Sequence, residues 1–372
     1  MIKIEYLKSK KMKKYFIRLP WKIYKNNPNW VPPLIMQEKE KFNKDKFPFF
    51  EHSEADFFLA EKDGDIVGRI AAIKNNNHLK VYNDDIGFFG FFESINDQTV
   101  ANALFDTAKN WLKERGLKKI RGPENYSQNE EAGLLIDAFD LPPVIMMTYN
   151  PPYYINLIEN YGFKKEMDLY AYNIKNIKQI PSRLKKAVSL TTRRYNYNIR
   201  KINVKDLDAE VKKIKSIYDT AWAENWGAVP FTDSEVENLK KELIQILIPD
   251  LVFIAEIDNR PVGVSITVPD INEALIKTNG RLFPLGLFKI LWHQRNIKGV
   301  RVLILGIIPK ERNKGIDTAL YHETFKNTIN KGFHNGEMSW ILENNHPMRN
   351  ALEKIYGTKI YKTYRIYEKE IN

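Results

Sequence analysis

A short basic loop, between an apolar run and a segment with helical spacing, carries the residues of this chain that are best suited to bind an anion. The loop residues are Arg312, Asn313, Lys314 and Gly315. Two of them are cationic, and the backbone N–H groups of such a loop lie at the positive end of the helix that follows. A phosphate group is the ligand that this combination binds best, so the sequence predicts a phosphate site here.

The segments on either side position this loop. Residues 302–308 are apolar and mostly β-branched or leucine, Pro309 interrupts them, and apolar residues resume at helical spacing after Asp317. This order predicts a strand, a tight loop and a helix. Asp317 is of a type that caps helices well, and we expect it to be the N-cap. Its charge would repel a phosphate unless Arg312 and Lys314 outweigh it.

The loop resembles the coenzyme A pyrophosphate loop of the GNAT acyltransferases. That pattern is Arg or Gln, two residues, Gly, one residue, then Gly or Ala; the chain matches it at Arg312 and Gly315 and departs from it at Asp317. The resemblance implies that acetyl-CoA or another acyl-CoA is the cofactor. Asn345 would contact its pantetheine arm or cap a helix. The expected cofactor contacts are Ile307, Ile308, Arg312, Asn313, Lys314, Gly315, Ile316, Asp317 and Asn345.

An internal repeat extends the resemblance to almost the whole chain. Residues 58–68 align without gaps on residues 253–263, and residues 150–164 match residues 345–359 at the same separation of 195 positions. The first pair of segments predicts a β-hairpin in each half. Both pairs resemble elements of the GNAT fold, so the chain is interpreted as a duplication.

The predicted fold class is α/β (α+β), with two tandem GNAT-like domains, each a mixed, mostly antiparallel sheet flanked by helices. We place the domains at 1–173 and 195–372, with a solvated linker helix over 174–194. In the first copy the apolar run 86–93 is followed by neither a glycine nor a basic residue before the next helix. We therefore expect the first copy to have lost its cofactor site.

The resemblance also implies where acyl transfer would occur. GNAT strands part beside the strand that follows the phosphate helix, and an amine must lose a proton there before it attacks the thioester. Glu337 or Glu343 is the candidate general base, directly or through water. The tyrosine acid of many GNAT enzymes is absent from its usual position, where this chain has Glu353. Tyr361, Tyr364 or water would then protonate the thiolate, unless the domain does not catalyse.

Composition restricts the class of protein. The chain has 372 residues, 43% of them hydrophobic, which suits two folded domains. It has no cysteine, which excludes disulfides, thiolate metal sites and a cysteine nucleophile. The histidines are scattered, so no metal is predicted. No apolar run of about 18 residues is present, so no transmembrane segment is expected, and the cytoplasm is the simplest location.

The net charge of +12 leaves the partner open. Basic residues are spread along the whole chain, so nucleic acid is less expected than a small-molecule or peptide amine, but it stays open. We expect this amine acceptor to bind between the domains. Two other functions remain: a catalytically inactive tandem GNAT-like binding or regulatory protein, and an aminoacyl-tRNA-dependent transferase.

An insertion over 269–299 interleaves aromatic and basic residues, with Phe283, Phe288 and Trp292 among them. Three interpretations compete: an amphipathic lid over the acyl or acceptor pocket, an interfacial membrane helix, and packing between the domains. Because the flanks of the insertion adjoin the predicted cofactor strand, packing that also walls the pocket is favoured.

Overall fold

The structure is a computed structural model that describes residues 1–180, 182–355 and 357–371. Pro181, Tyr356 and Asn372 lie outside the described residues, so the repeat position Tyr356 is not placed; of Arg183 and Ile355 only the backbone is described. The chain divides into two compact units. Unit 1 comprises Met1–Leu169, Ala274–Leu291 and Lys362–Asn372, and unit 2 comprises Tyr170–Glu273 and Trp292–Tyr361.

Strands form the centre of both units. They are β1 (Ile2–Tyr6), β2 (Glu54–Lys62), β3 (Asp65–Lys74), β4 (Ile86–Ser94), β5 (Lys119–Gly122), β6 (Leu134–Leu135), β7 (Lys164–Ile174), β8 (Asn198–Lys201), β9 (Val252–Ile257), β10 (Arg260–Pro269), β11 (Gly299–Ile307), β12 (Asn335–Leu342) and β13 (Ile360–Glu370).

Helices connect the strands and cover their faces. They are α1 (Lys10–Ile23), α2 (Ile35–Lys41), α3 (Asn76–Tyr82), α4 (Gln98–Lys113), α5 (Tyr154–Asn160), α6 (Ser182–Tyr195), α7 (Leu207–Ala221), α8 (Asp233–Leu243), α9 (Asn272–Leu275), α10 (Gly286–Gln294), α11 (Ile316–Asn330) and α12 (His346–Asn350), which a π-helical turn, Ala351–Ile355, extends. No helix in the described part of the chain is long and apolar enough to cross a membrane.

In unit 1 the strand order is β1-β2-β3-β4-β5-β13, with β6 and the unit-1 part of β7 also beside β13. β4 and β5 are parallel, and β1, β2, β3 and β4 pair antiparallel in sequence. The apolar side chains of α4, including Leu104 and Phe105, are fully buried in one cluster with Phe89 of β4. A second cluster joins Phe16 of α1 to Phe57 of β2. Helices therefore cover the sheet with their apolar stripes.

In unit 2 the order is β12-β11-β10-β9-β8, after the unit-2 part of β7. β11 and β12 are parallel, whereas β8, β9, β10 and β11 pair antiparallel. α11 buries Ile316 and Leu320 in one cluster with Phe253, and α7 buries Ile217 in another with Val264. Each unit is thus a mixed, mostly antiparallel sheet flanked by helices, which confirms the predicted fold class.

The two predicted hairpins are present as β2–β3 and β9–β10. The first turns at Asp63 and Gly64, with φ of 54° and 86°, and the second at Asp258 and Asn259, with φ of 49° and 61°. Two consecutive residues with positive φ suit the right-handed twist of paired strands, which is why Asp-Gly and Asp-Asn mark such turns.

The segment expected as a solvated linker contains α6, which is a packed element of unit 2. Leu184 is fully buried, and Val188 packs against the clusters that contain Tyr321 and Leu320 of α11. The units also differ from the predicted ranges at the end of the chain, because residues from Lys362 onward belong to unit 1. Within unit 1, the last strand therefore pairs with β5.

Candidate functional site

β11 and β12 run side by side and then part. Their parallel pairing begins at Gly299 with Asn335 and stops at Val302 with Met338, while β11 continues to Ile307. At the same point a β-bulge interrupts the pairing of β10 with β11, which locally redirects the strand. Parted parallel strands leave a gap that a ligand can enter.

Polar side chains meet where the strands part. Arg301 lies opposite Glu337 in the strand register and donates hydrogen bonds to Ser339 Oγ and Ser339 O, each at 3.0 Å. Ser339 Oγ donates to Glu337 Oε1 at 2.5 Å, and the Tyr361 hydroxyl donates to Glu337 Oε2. Arg301, Glu337 and Ser339 are buried. Hydroxyl donors on both oxygens therefore hold this carboxylate in one orientation.

The structure brings the predicted Glu337 and Tyr361 together and places Glu343 and Tyr364 elsewhere. Glu343 follows the end of β12, and its backbone carbonyl oxygen accepts a hydrogen bond from Arg349 at 2.7 Å. Tyr361 and Tyr364 are three residues apart on β13, so their side chains point to opposite faces. Tyr364 is fully buried and belongs to unit 1.

The predicted phosphate loop joins β11 to α11 and ends at a glycine. α11 begins at Ile316, its N-cap is Gly315 with φ of 75°, and no side chain caps it. The prediction that Asp317 is the N-cap is wrong, since Asp317 lies in the first helical turn. The left-handed backbone at Asn313, with φ of 65°, and at Gly315 tightens the loop, so that the helix starts earlier than the apolar spacing indicates.

Backbone N–H groups of this loop are available to an anion. Within the described residues, the amides of Asn313, Lys314 and Gly315 donate no backbone hydrogen bond. The first N–H groups of α11 have no acceptor inside the helix either, because the preceding turn is missing. These donors at a helix N-terminus fit the oxygens of a pyrophosphate.

The two basic side chains of the loop have partners within unit 2. Arg312 donates to Ile307 O at 3.3 Å and to Ala221 O at 2.8 Å. Lys314 Nζ lies 2.5 Å from Glu311 Oε2. An anion at this loop would therefore be held mainly by amide groups and the helix dipole, and less by the cationic side chains than the sequence indicates.

Helix α6 stands in front of the loop. A Cβ atom built on Gly315 would lie 2.5 Å from Thr191 Cγ2. The Tyr197 hydroxyl donates to Gly315 O at 3.3 Å and lies 2.7 Å from Thr191 Oγ1. The donor set of the loop fits a pyrophosphate, whereas the space directly before Gly315 is taken by Thr191.

Other predicted cofactor contacts have structural roles. Asn345 is the N-cap of α12, and its side chain accepts from the Met348 N–H at 3.2 Å, so the helix-cap alternative is the one that the structure shows. The Ile308 N–H donates to Val262 O at 3.0 Å. Ile316 is fully buried.

At the corresponding position in unit 1, the start of α4, a side-chain carboxylate caps the helix. Asp97 is the N-cap of α4: Lys62 Nζ lies 2.6 Å from one oxygen, and the Thr99 N–H donates to the other at 2.9 Å. These donors, Lys62 first, lower the pKa of Asp97 to about 2. Where β4 and β5 part, a Cβ atom on Gly90 would lie 2.1 Å from Glu124 O. At the start of α4 and at Gly90 of β4, unit 1 thus has contacts within its own chain; that its cofactor site is lost stays a prediction.

An apolar cavity of about 100 Å³ lies in unit 2 beside α7 and α8. Its walls are aliphatic or aromatic, apart from Lys215 and Lys240, whose ammonium groups pair with Asp219 at 2.9 Å and Glu237 at 2.6 Å. Only the methylene stems of these lysines suit the apolar wall. The cavity therefore suits an alkyl chain.

Aromatic contacts link this cavity to the loop. Tyr218 on the cavity wall stacks on Trp222, with 4.6 Å between ring centroids. Trp222 covers Gly306 of β11 so closely that a Cβ atom there would lie 2.1 Å from the ring. Arg312 in turn donates to Ala221, the neighbour of Trp222. Cavity, strand and loop thus form one packed assembly.

Sequence reasoning missed Arg301, Ser339 and Thr191. Glu337 and Ser339 alternate along one face of a strand, and this spacing is a visible signal. The register that sets Arg301 opposite Glu337, and the position of α6, are not visible in the sequence. Among the described residues, no group of three or more histidine, aspartate or glutamate side chains is placed to hold a metal ion.

The chain has relatives of similar length. It is 37% identical to Protein YghO of Escherichia coli (strain K12), over 96% of this chain and 93% of that protein. It is 34% identical to the Bacterial ceramide synthase of Caulobacter vibrioides (strain NA1000 / CB15N), over 96% and 94% of the two chains. The family model described as "Acetyltransferase (GNAT) family" matches residues 21–132, which lie in the first copy.

Solved structures share the fold at low sequence identity. A tandem GNAT protein from the clavulanic acid biosynthesis pathway, determined without AcCoA, superposes with a TM-score of 0.58 over 100% of this chain and 99% of that chain, at 10% identity. A GCN5-related glucosamine N-acetyltransferase region of a fungal multi-domain β-N-acetylglucosaminidase superposes with a TM-score of 0.56, at 12% identity. The match covers 99% of this chain and 38% of that chain. These likenesses establish a tandem arrangement of the fold.

Proposed function

Because the chain belongs to the GNAT acetyltransferase family, with two copies of the fold in tandem, we propose that unit 2 transfers an acyl group from an acyl-CoA to the nitrogen of an amine. The observation that carries this proposal is the buried Glu337 carboxylate, hydrogen-bonded by Tyr361 and Ser339 where β11 and β12 part. A fixed proton acceptor beside a gap between strands suits this chemistry.

The loop before α11 is the part of unit 2 that suits the cofactor. The amides of Asn313, Lys314 and Gly315 and the start of α11 would hold the pyrophosphate. Bound acyl-CoA supplies the acyl group as a thioester. Because Thr191 lies so close to Gly315, we expect it to move when the pyrophosphate binds. We expect no cofactor in unit 1, because Asp97 already accepts a backbone N–H at the start of α4.

Glu337 and Tyr361, which lie where β11 and β12 part, are the residues that we propose transfer protons during the reaction. An amine is largely protonated at neutral pH, and its nitrogen attacks only after losing a proton, which Glu337 accepts. The Tyr361 hydroxyl would give its proton to the leaving sulfur and would be reprotonated by Glu337. Of the two protons that the ammonium nitrogen loses, one thus reaches the sulfur and the other passes to water.

We further propose that the acceptor is a long-chain amine. Two observations support this class: the relative named Bacterial ceramide synthase, 34% identical over nearly the whole chain, and the apolar cavity of unit 2. Each methylene group buried there would stabilise binding by about 0.8 kcal/mol. Ile304 of β11 lines the cavity three residues after Arg301, so a chain held there would begin close to the polar cluster.

Calorimetric titration with acyl-CoA tests the cofactor step, and two glycine variants make it specific. Gly315→Ala and Gly332→Ala each put a Cβ atom on a left-handed glycine, with φ of 75° and 81°, but no atom lies within 4 Å of the second position. We expect at least a tenfold loss of affinity in Gly315→Ala and no change in Gly332→Ala. Equal affinities in all three proteins, or no binding by the wild type, would contradict the proposal.

A further inference from the structure

The segment that leads into β11 exposes large apolar side chains. Their exposed fractions are 82% for Phe283, 62% for Leu285, 70% for Phe288, 53% for Leu291 and 69% for Trp292. Folded chains rarely leave so many neighbouring apolar side chains in water. The favoured expectation of packing for the insertion is therefore wrong for this part of it.

The exposed side chains lie together on the surface of the protein. Leu287, Phe288, Leu291 and Trp292 follow helical spacing and form one stripe along α10. Phe283 and Leu285 lie just before the helix and extend the same apolar segment. We call the exposed apolar side chains from Phe283 to Trp292 the apolar stripe.

The root of the apolar stripe is fixed within unit 1. Trp21 Nε1 donates to Asn279 Oδ1 at 2.9 Å, and the Ile35 N–H donates to Gly280 O at 3.0 Å. A Cβ atom on Gly280 would lie 2.4 Å from Pro33 O, so the backbones approach closely. The apolar stripe thus projects from an anchored base.

Along the chain, the segment that carries the apolar stripe is basic and contains no acidic residue. No aspartate or glutamate occurs between Glu273 and Glu311. The basic residues in and beside the apolar stripe are exposed; they are Arg281, Lys289 and Arg295. Farther along, Glu273 accepts the backbone N–H of Lys298. A partner for this surface must therefore offer an apolar interior and a negatively charged rim.

We propose that the apolar stripe docks the protein onto the surface of a bilayer that contains anionic phospholipids. Aromatic and leucine side chains would enter the boundary between headgroups and acyl chains, while lysine and arginine remain among the phosphates. A second copy of this chain is the less suitable occupant, because it would bring the same positive charges into contact. This docking does not depend on the proposed acyl transfer, since it requires neither acyl-CoA nor turnover.

Co-sedimentation of the full chain with vesicles tests this proposal. One set of vesicles is phosphatidylcholine alone, and the other contains phosphatidylglycerol as well. The test variant is Phe288→Ser with Trp292→Ser. The matched control is Met36→Ser with Val204→Ser, which removes side chains that are 57% and 52% exposed elsewhere on the protein. Thermal unfolding of each variant checks that it is folded.

We expect the wild type and the control to sediment with phosphatidylglycerol vesicles and the test variant to bind them at least tenfold more weakly. Lys289→Gln with Arg295→Gln should weaken binding to the anionic vesicles and reduce its sensitivity to salt. The absence of wild-type binding, or equal binding by the test variant, would overturn the proposal. A third outcome would also overturn it: sedimentation velocity finds the wild type as a dimer that binds no vesicles, and finds the test variant as a monomer.

Discussion

The hydroxyl of Tyr361 donates a hydrogen bond to the carboxylate of Glu337, at the place where β11 and β12 part. This bond joins β13 to β12 and links the proposed general base to the proposed general acid. We expect Glu337→Gln to lower kcat about a hundredfold or more, because the amide cannot accept the proton. Steady-state kinetics with a saturating acyl-CoA would measure it, and wild-type kcat in this variant would exclude Glu337 as the base.

Tyr361→Phe removes the hydroxyl and retains the ring. We expect kcat to fall about tenfold or more while the dissociation constant of acyl-CoA stays unchanged, since the hydroxyl acts on protons and not on the loop. Tyr364→Phe is the matched control on the opposite face of β13 and should retain wild-type kcat. Equal losses in both variants would indicate a structural effect of the strand.

Thr191 occupies the space in front of Gly315, and its removal should make the loop easier to reach. We expect Thr191→Ala to raise the affinity for acyl-CoA several-fold, because less of α6 has to move. The same variant loses the hydroxyl contact with Tyr197, which loosens α6 further. Titration calorimetry of both proteins measures the change, and an unchanged or weaker affinity would speak against displacement of α6.

If the cavity of unit 2 binds the alkyl chain of the amine, making it smaller or larger should shift the preferred chain length in opposite directions. Val236 and Leu239 both line it. Val236→Phe fills space and should raise KM for long-chain amines more than for short ones, whereas Leu239→Ala opens space and should favour longer chains. A series of alkyl amines of increasing length gives the measurement. An equal change in KM for amines of every length would show that the alkyl chain binds outside this cavity.

Glu210 should make unit 2 sensitive to acid. Arg200 binds both of its oxygens, at 2.5 and 2.9 Å, and together with Lys213 it lowers the pKa of Glu210 from its usual value of about 4.5 to about 2. Because the pKa of Glu210 is lower in the folded than in the unfolded protein, its ionised form stabilises the fold at pH values above the unfolded-state pKa. This stabilisation is lost as the pH falls from about 4.5 to 2. Glu210→Gln should cost about 1–3 kcal/mol at pH 7 and much less at pH 2, as urea unfolding would show.

Glu124 should have the opposite effect in unit 1. Burial raises its pKa to about 7, although Arg121 opposes the shift. A raised folded-state pKa stabilises the protein at low pH, and this stability is lost as the pH rises from about 4.5 through 7. Glu124→Gln removes that loss, so we expect it to be more stable than the wild type at pH 8 by about 3 kcal/mol. A difference that does not vary between pH 4 and 8 would contradict this assignment.

Local patterns made part of this structure predictable. The Asp-Gly and Asp-Asn turns specify both hairpins, and the break at Pro309 followed by Gly315 specifies the loop before α11, because each depends on backbone conformations of a few neighbouring residues. The N-cap was misplaced by two residues, since both Gly315 and Asp317 are acceptable caps and only the loop conformation decides between them.

Long-range relationships could not be predicted from one sequence. Glu337 could be named because its strand resembles a known one, but its contact with Arg301 through Ser339 depends on strand register. The position of α6 before Gly315 and the exposure of Phe288 depend on which apolar faces meet after folding. An amphipathic segment looks the same in sequence whether it packs on its own protein or on a membrane.

The pairing of β13 with β5 decides the order in which this protein can be completed during synthesis. Tyr367 pairs with Gly122 and Glu370 with Lys119, so the ribosome adds the last strand of unit 1 only after all of unit 2. Domains commonly fold one after another from the N-terminus as they emerge. Here the half that is made first is finished last, and β5 stays an open sheet edge, a surface on which other strands can pair, until β13 has been synthesised.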